Sequence, residues 1–236
     1  MAVAVDIKAL LEAGVHFGHK TSRWHPKMAP YIHSKRQESH IIDLTKTVAG
    51  LEEALPFLTK VAASGKKVLF VGTKKALRDT VRTVAEELGQ PYVTERWVGG
   101  MLTNVGTTTQ QIKKLHDLER RMAAGDLEKR YNKLEVQRFQ EEIDDLNHKY
   151  GGIKDLSGAP GAVVVLDILV DANGVREAKR LDVPVVGVVD TNANPDGIDY
   201  IVPGNDDAIA GSKLLLDYFA AAVKEGMSAA KKEETK

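Results

Sequence analysis

The chain has 236 residues, 43% of them hydrophobic, with 33 Lys and Arg balanced by 33 Asp and Glu and no cysteine. That length supports one full core with an appended element, and no run of about 18 apolar residues is present to span a membrane. The missing cysteines exclude disulfides, thiolate catalysis and cysteine-ligated zinc or iron–sulfur sites, and they fit a cytoplasmic setting.

The opening segment MAVAVDIKALLEAG reads as an amphipathic helix, with Asp6 where a signal peptide would carry positive charge. GVHFGHKTSRWHPKMAPYIHSKRQESHIIDL is too rich in Gly, Pro, His and aromatic residues for one regular element, although Tyr31–Ile32 and Ile41–Ile42 can pair as a hairpin. Thr45 is the expected cap of a helix in which Val48, Leu51, Leu55, Leu58 and Val61 recur at steps of three and four, with Pro56 expected to kink it. KKVLFVG carries four consecutive apolar residues, the pattern of a strand buried on both faces. A helix from Lys74 to Leu88 and a short strand at Tyr92–Val93 follow. Further on come a strand at Ala162–Asp167, a helix near Gly174–Leu181, a strand at Pro184–Asp190, a weak strand at Tyr200–Val202 and a helix from Asp207 to Lys224. This alternation predicts an α/β fold with a parallel five-stranded sheet covered on both faces, a flavodoxin-like three-layer sandwich.

Residues 104–150 break the rhythm. Ile112, Leu115, Leu118 and Met122 mark one helical stripe, and Tyr131, Leu134, Phe139, Ile143, Leu146 and Tyr150 mark a second, with Gly125–Asp126 between them. Two charged amphipathic helices joined by a turn predict an antiparallel helical hairpin, a coiled coil projecting from the sheet domain. The globular domain is then discontinuous, 1–103 and 151–225, with 104–150 inserted and 226–236 a flexible tail.

Charge is unevenly spread. Residues 1–103 carry 15 basic against 10 acidic side chains, 104–150 carry nine of each, and 155–236 carry eight basic against 14 acidic. The asymmetry suggests a basic face for an anionic partner, with the acidic half turned to solvent or to a protein.

The sequence offers little catalytic machinery. No G-x-G-x-x-G and no G-x-S-x-G occurs, and GTKKALRD lacks the spacing of a phosphate loop. Lys74 and Lys75 at that strand-to-helix junction are still placed to hold one phosphate of a polymer. Asp190 closes a strand and GNDD opens the last helix, both at strand carboxyl ends where this architecture forms its crevice. Asp190, Asp206 and Asp207, with His19, therefore form a candidate site for a divalent cation, zinc or magnesium. No cofactor is otherwise required. The better nucleic-acid candidate is KTSRWHPKMAPYIHSKR, where Lys20, Arg23, Lys27, Lys35 and Arg36 can neutralise phosphates and Trp24 and Tyr31 offer flat faces. Arg96–Trp97 before Gly99–Gly100 repeats the combination, although Trp97 also suits the core.

Several long motifs resemble one family, the bacterial form of small-subunit ribosomal protein two. LLEAGVHFGHKTSRWHPKM is similar to its amino-terminal signature, KKVLFVGTKK to its first sheet strand, and RWVGGMLTN and GGIKD to the two ends of its helical insertion. APGAVVVLDILVDANGVREAKRLDVP and VVDTNANPDGIDYIVPGNDDAI resemble its later signatures, in order and in one register from about Asp6 to Lys224; Asp182 stands where that family usually has Gly or Asn. The resemblance implies a structural constituent of the small ribosomal subunit that is not an enzyme. It implies binding to small-subunit ribosomal RNA near the head–body junction, through both the globular domain and the hairpin; the candidate cations of the hairpin are Lys113, Lys114, Arg120 and Arg121. It also implies contact with neighbouring ribosomal proteins, including the large messenger-binding protein one. The alternatives that the residues leave are a cytosolic α/β interaction adaptor and a nucleotide-binding protein.

Overall fold

The computed structural model describes residues 4–234. Its centre is a sheet of five strands, β4 (Val68–Val71), β5 (Tyr92–Val93), β6 (Ala162–Val165), β7 (Val185–Val189) and β8 (Tyr200–Pro203). Every pairing is parallel and the order is β5-β4-β6-β7-β8. Counted within this sheet the order is 2-1-3-4-5, the flavodoxin-like arrangement, with its switch point between β4 and β6.

The apolar runs explain why the strands are central. Every residue of β4, β6 and β7 is buried, so both faces need cover. Alternate side chains divide cleanly. Val68, Phe70, Val164, Val186 and Val188 join a core with Leu51, Leu55, Leu58, Val81, Leu215 and Phe219. These partners come from α2 (Leu44–Ala63), α3 (Arg78–Glu87) and α8 (Ile209–Glu234). Leu69, Val71, Val163, Val165, Val185 and Val189 join the opposite core. Burying each such side chain stabilises the fold by roughly 1.5–3 kcal/mol. At Gly226 a Cβ would lie 2.2 Å from the Thr59 carbonyl oxygen, so only glycine lets α8 close on α2 here.

The second face is covered by α7 (Ala172–Arg180), while residues 104–150 form α4 (Val105–Ala123), α5 (Asp126–Arg130) and α6 (Lys133–Tyr150), with α4 packed against α6. Leu115 and Leu118 of α4 and Ile143, Leu146 and Tyr150 of α6 belong to the same buried cluster as the sheet residues. Asn132 and Glu135 form a reciprocal capping box that starts α6.

Several expected boundaries move. Asp43, not Thr45, caps α2, accepting from the Thr45 amide at 2.9 Å, and the helix runs through Pro56 without ending. α3 begins at Arg78 rather than Lys74, because Thr73 and Lys74 are drawn to acidic partners across the sheet edge. α8 continues to Glu234, past the expected end at Lys224 and into the segment read as a tail, whose last two residues lie outside the described region. The Gly/His-rich stretch is more regular than its composition suggests. Beside α1 (Ile7–Glu12) it forms a three-stranded antiparallel sheet, β1 (Phe17–Lys20), β2 (Ile32–Arg36) and β3 (Ser39–Ile42), with β3 in the middle. The expected pairing appears as Ile32 opposite Ile42.

Candidate nucleic-acid interface

The small sheet and the basic stretch that forms it are joined to the large sheet through Thr191. The His25 amide donates to the Thr191 carbonyl at 2.7 Å, the His19 amide donates to the Thr191 hydroxyl at 2.9 Å, and Met28 is fully buried. Thr191 directly follows β7 and Asp190, so the basic stretch is fastened at the carboxyl end of the parallel strands. Lys20 and Arg36 both pair with Ser39, one from each side. With strands about 4.8 Å apart, their backbones stand roughly 10 Å from each other across the tip. Lys20, Arg23, Lys35 and Arg36 are exposed, and none makes an ion pair among the described residues. Trp24 is 39% exposed and rests on His40, ring centres 5.2 Å apart. Tyr31 is only half-buried and packs against the second core. The tip is a two-residue turn in which Gln37 and Glu38 both take positive φ, 45° and 66°. Neither is glycine, so the tip is held in a strained shape.

The remaining candidates divide. Lys75, Arg96 and Lys113 are exposed and make no ion pair among the described residues. Lys27 pairs with Asp196, Lys114 with Glu142, and Arg120 and Arg121 with Asp117 at 2.5 and 3.8 Å. Those four reach a phosphate only by leaving a carboxylate. Lys74 is held by several acidic groups at once. Its ammonium bonds Asp206 Oδ1 at 2.9 Å, Asp207 Oδ1 at 2.6 Å and the Asp206 carbonyl at 2.9 Å, and lies 3.4 Å from Asp167. The strand ends gather enough negative charge to hold this lysine, whose side chain is 26% exposed, among carboxylates.

Asp167, Asp171, Asp190 and Asp206 are all buried in that crevice, so much of the acidic excess of the second half is not a surface. Burial, reinforced by Asp167, pushes Asp171 up to about 6 against the two hydrogen bonds from Thr73. Burial, with Asp167 and Asp190 nearby, likewise lifts Asp206 to about 6 against Lys74. Burial opposes charge on Lys74, but the bonds to Asp207 and Asp206 win and hold it protonated. The hydrogen bond to Asp190 raises His19. One donor atom each from His19, Asp206 and Asp207 lies within 4.8 Å of the others, close enough to share a cation. Asp190 stands behind them, 3.0 Å from His19 Nδ1, and orients the ring.

Thr73, Asp167, Asp171 and Glu177 organise these surroundings, although the sequence alone gives none of them a role. Glu177 on α7 is 7% exposed and collects five hydrogen bonds from one loop. The donors are Trp97 Nε1 at 3.0 Å, the amides of Gly100, Leu102 and Thr103 at 2.7, 3.0 and 3.1 Å, and the Thr103 hydroxyl at 3.1 Å. Burial works against its charge, but these donors outweigh it and hold the carboxyl below its ordinary value. Trp97 is correspondingly buried, while Arg96 beside it is exposed. The available signal for Glu177 is its place on the buried stripe of α7 with Gly174 and Ala178, where a charge must be satisfied.

Comparison with known proteins bears on the whole chain. The family described as Ribosomal protein S2 matches residues 10–226. The chain is similar to the small ribosomal subunit protein uS2 of Chloroflexus aggregans (strain MD-66 / DSM 9485), 48% identical over 223 residues, covering 94% of this chain and 93% of that relative. It is also similar to the small ribosomal subunit protein uS2 of Roseiflexus sp. (strain RS-1), 47% identical over 224 residues, 95% of this chain and 85% of the relative.

Proposed function

The chain belongs to the ribosomal protein S2 family, and on that premise we propose that the small antiparallel sheet is its principal grip on small-subunit ribosomal RNA. Its role is structural: it is a non-enzymatic component of the small subunit in translation. The observation that carries the RNA reading is the set Lys20, Lys35 and Arg36 on the sheet and Arg23 in the segment that follows β1, exposed and unpaired among the described residues and fastened to the main body at Thr191. Cations so held release counterions from an RNA backbone without first breaking an internal ion pair, and Trp24 supplies a face for a base or ribose. Lys75, Arg96 and Lys113 extend the contact. Residues 104–150 add a second, weaker one as a helical arm, since three of its four candidate cations already hold carboxylates.

The family's place near the head–body junction and its contact with protein one enter this reading as well. Ile7, Leu11, Phe17 and Ile209 are exposed apolar side chains suited to a protein neighbour. A divalent cation, if bound, would be held by His19, Asp206 and Asp207, a donor set suited to zinc. It would supply structural counter-charge to the crevice beside Lys74. Elemental analysis of protein purified without chelator, with thermal unfolding before and after chelation, tests it; no bound metal rejects the site.

The RNA grip is tested by joining the protein to small-subunit particles lacking their own copy and washing at rising salt. Reversing Lys20, Arg23 and Lys27 to Glu should weaken association and flatten its salt dependence by about 0.7–0.9 in log–log slope for each phosphate no longer neutralised. Association as tight as that of the unaltered protein would remove this assignment of the RNA-facing residues. Failure of the unaltered protein to join particles would remove the function.

A further inference from the structure

A groove lined by two arginines lies in the half of the chain whose sequence carries the acidic excess. Between α7 and the loop 99–103 is a groove of about 210 Å³ lined by Gly99, Gly100, Thr103, Asn173, Arg176, Glu177 and Arg180. Arg176 and Arg180 are four residues apart, hence on one face of α7, and both are exposed. Neither meets a carboxylate among the described residues: Arg176 donates to Asn173 Oδ1 at 2.7 Å and to the Ala172 carbonyl at 3.2 Å. Glu177, the one acid at the groove, has its oxygens filled by the five loop donors described above, so it binds the groove's wall in place rather than pairing with the arginines. The opposite wall is glycine. A Cβ at Gly99 would meet nothing within 4 Å, so an approaching chain meets backbone there, while Gly100, at φ +86°, has the Asn104 side chain beside it. Arg96, exposed at the head of the same loop, extends the positive surface.

We propose that this groove binds the phosphate backbone of small-subunit RNA, with Arg176 and Arg180 forking onto one or two phosphates across the open Gly99–Gly100 wall. The inference rests on the ribosomal reading and adds to it a contact site on the parallel-sheet domain. Guanidinium groups suit the task because their planar donors pair two at a time with phosphate oxygens. Here they are spared the cost of leaving an internal carboxylate. Glu177 ties the loop that carries these glycines to α7.

The test uses the full chain and small-subunit particles lacking their own copy. Arg176→Gln with Arg180→Gln should bind roughly tenfold more weakly at about 0.1 M salt, with a log–log salt slope shallower by about 1.5, and should unfold at an unchanged temperature. Arg176→Lys with Arg180→Lys keeps the charges but loses the fork, so the slope should survive while affinity falls by a smaller factor. Lys213→Gln, on the exposed face of α8, should change neither. If the double glutamine variant does not fold, Arg180→Gln alone is read the same way. A folded glutamine variant with the affinity and slope of the unaltered protein overturns the groove. The Lys20, Arg23 and Lys27 reversal measured alongside separates the two claims: weakened binding there with an indifferent groove leaves the ribosomal function standing.

Discussion

Replacing Glu177 with Ala should separate the loop that leads into the helical insertion from the sheet domain that carries it. Four N–H donors and one hydroxyl converge on this carboxylate, and Trp97 packs against Gly174 on the same helix. A hydrogen bond to a charged group contributes about 1.5–3 kcal/mol, and a buried donor left unsatisfied costs about 1–3 kcal/mol. The five do not add, because the Gly100 and Thr103 groups are partly exposed and take up water once the side chain is gone. The Trp97 indole and the Leu102 amide are buried and dominate, so the expected loss is about 3–5 kcal/mol. Urea unfolding followed by circular dichroism measures it, and hydrogen exchange at Gly100, Leu102 and Thr103 localises it. Protection should collapse at those three amides and persist in β4 and β6. The pH dependence carries its own sign. The folded carboxyl lies below its ordinary 4.5, so its stabilisation is complete above that value and fades as pH falls through the lower folded one. Glu177→Gln should remove that acid-side dependence. A loss under about 0.5 kcal/mol, within the range of ordinary surface substitutions, with those amides still protected, would refute the clamp.

Lys74→Met leaves Asp206, Asp207 and Asp167 without their shared cation. It should cost roughly 2–4 kcal/mol at neutral pH, somewhat under the full penalty for a broken buried pair because the ammonium is partly exposed; chemical denaturation measures it, and an unchanged salt slope of particle binding confirms that the residue serves the fold. Asp171 is raised from 3.8 to about 6 in the folded state, so it binds its proton more tightly folded than unfolded, and its contribution to stability falls as pH rises across that interval. Asp171→Asn should flatten this part of the stability–pH curve; an unchanged curve argues against a raised carboxyl there. Gln37→Asn with Glu38→Gly suits the positive-φ turn and should raise stability by about 1 kcal/mol, read as a higher urea midpoint at constant slope.

The sheet was legible because its strands are buried on both faces. Valine runs such as Ala162–Val165 and Val185–Val189 announce themselves without help from neighbours. β1 was not, since Phe17–Lys20 is half-exposed and pairs across an irregular register with a strand two elements away. The same limit applies to the site. The exposed cations of the N-terminal stretch could be read residue by residue, because a solvated lysine needs nothing from the fold. Lys74 could not, because its environment is made by Asp167, Asp206 and Asp207, far away along the chain and brought together by the ends of β6 and β8.

The same distinction decides what the charge of a segment means. Residues 155–236 hold 14 acidic side chains against eight basic ones, which by itself predicts a face that repels RNA. Asp167, Asp171, Glu177, Asp190 and Asp206 are buried, however, and their hydrogen bonds and charge partners lie inside the protein. Set those five aside and the acidic excess of this segment nearly vanishes, while Arg176 and Arg180 stay at the surface. Counterion release depends on the charges a polymer can approach, and the crevice has withdrawn many of the acids from that count. A domain can therefore carry an acidic sequence and still present a cationic groove, provided its carboxylates are spent on holding strand ends and loops in place. On α7, Glu177 is spent in this way, and the two arginines beside it stay exposed with no carboxylate partner among the described residues.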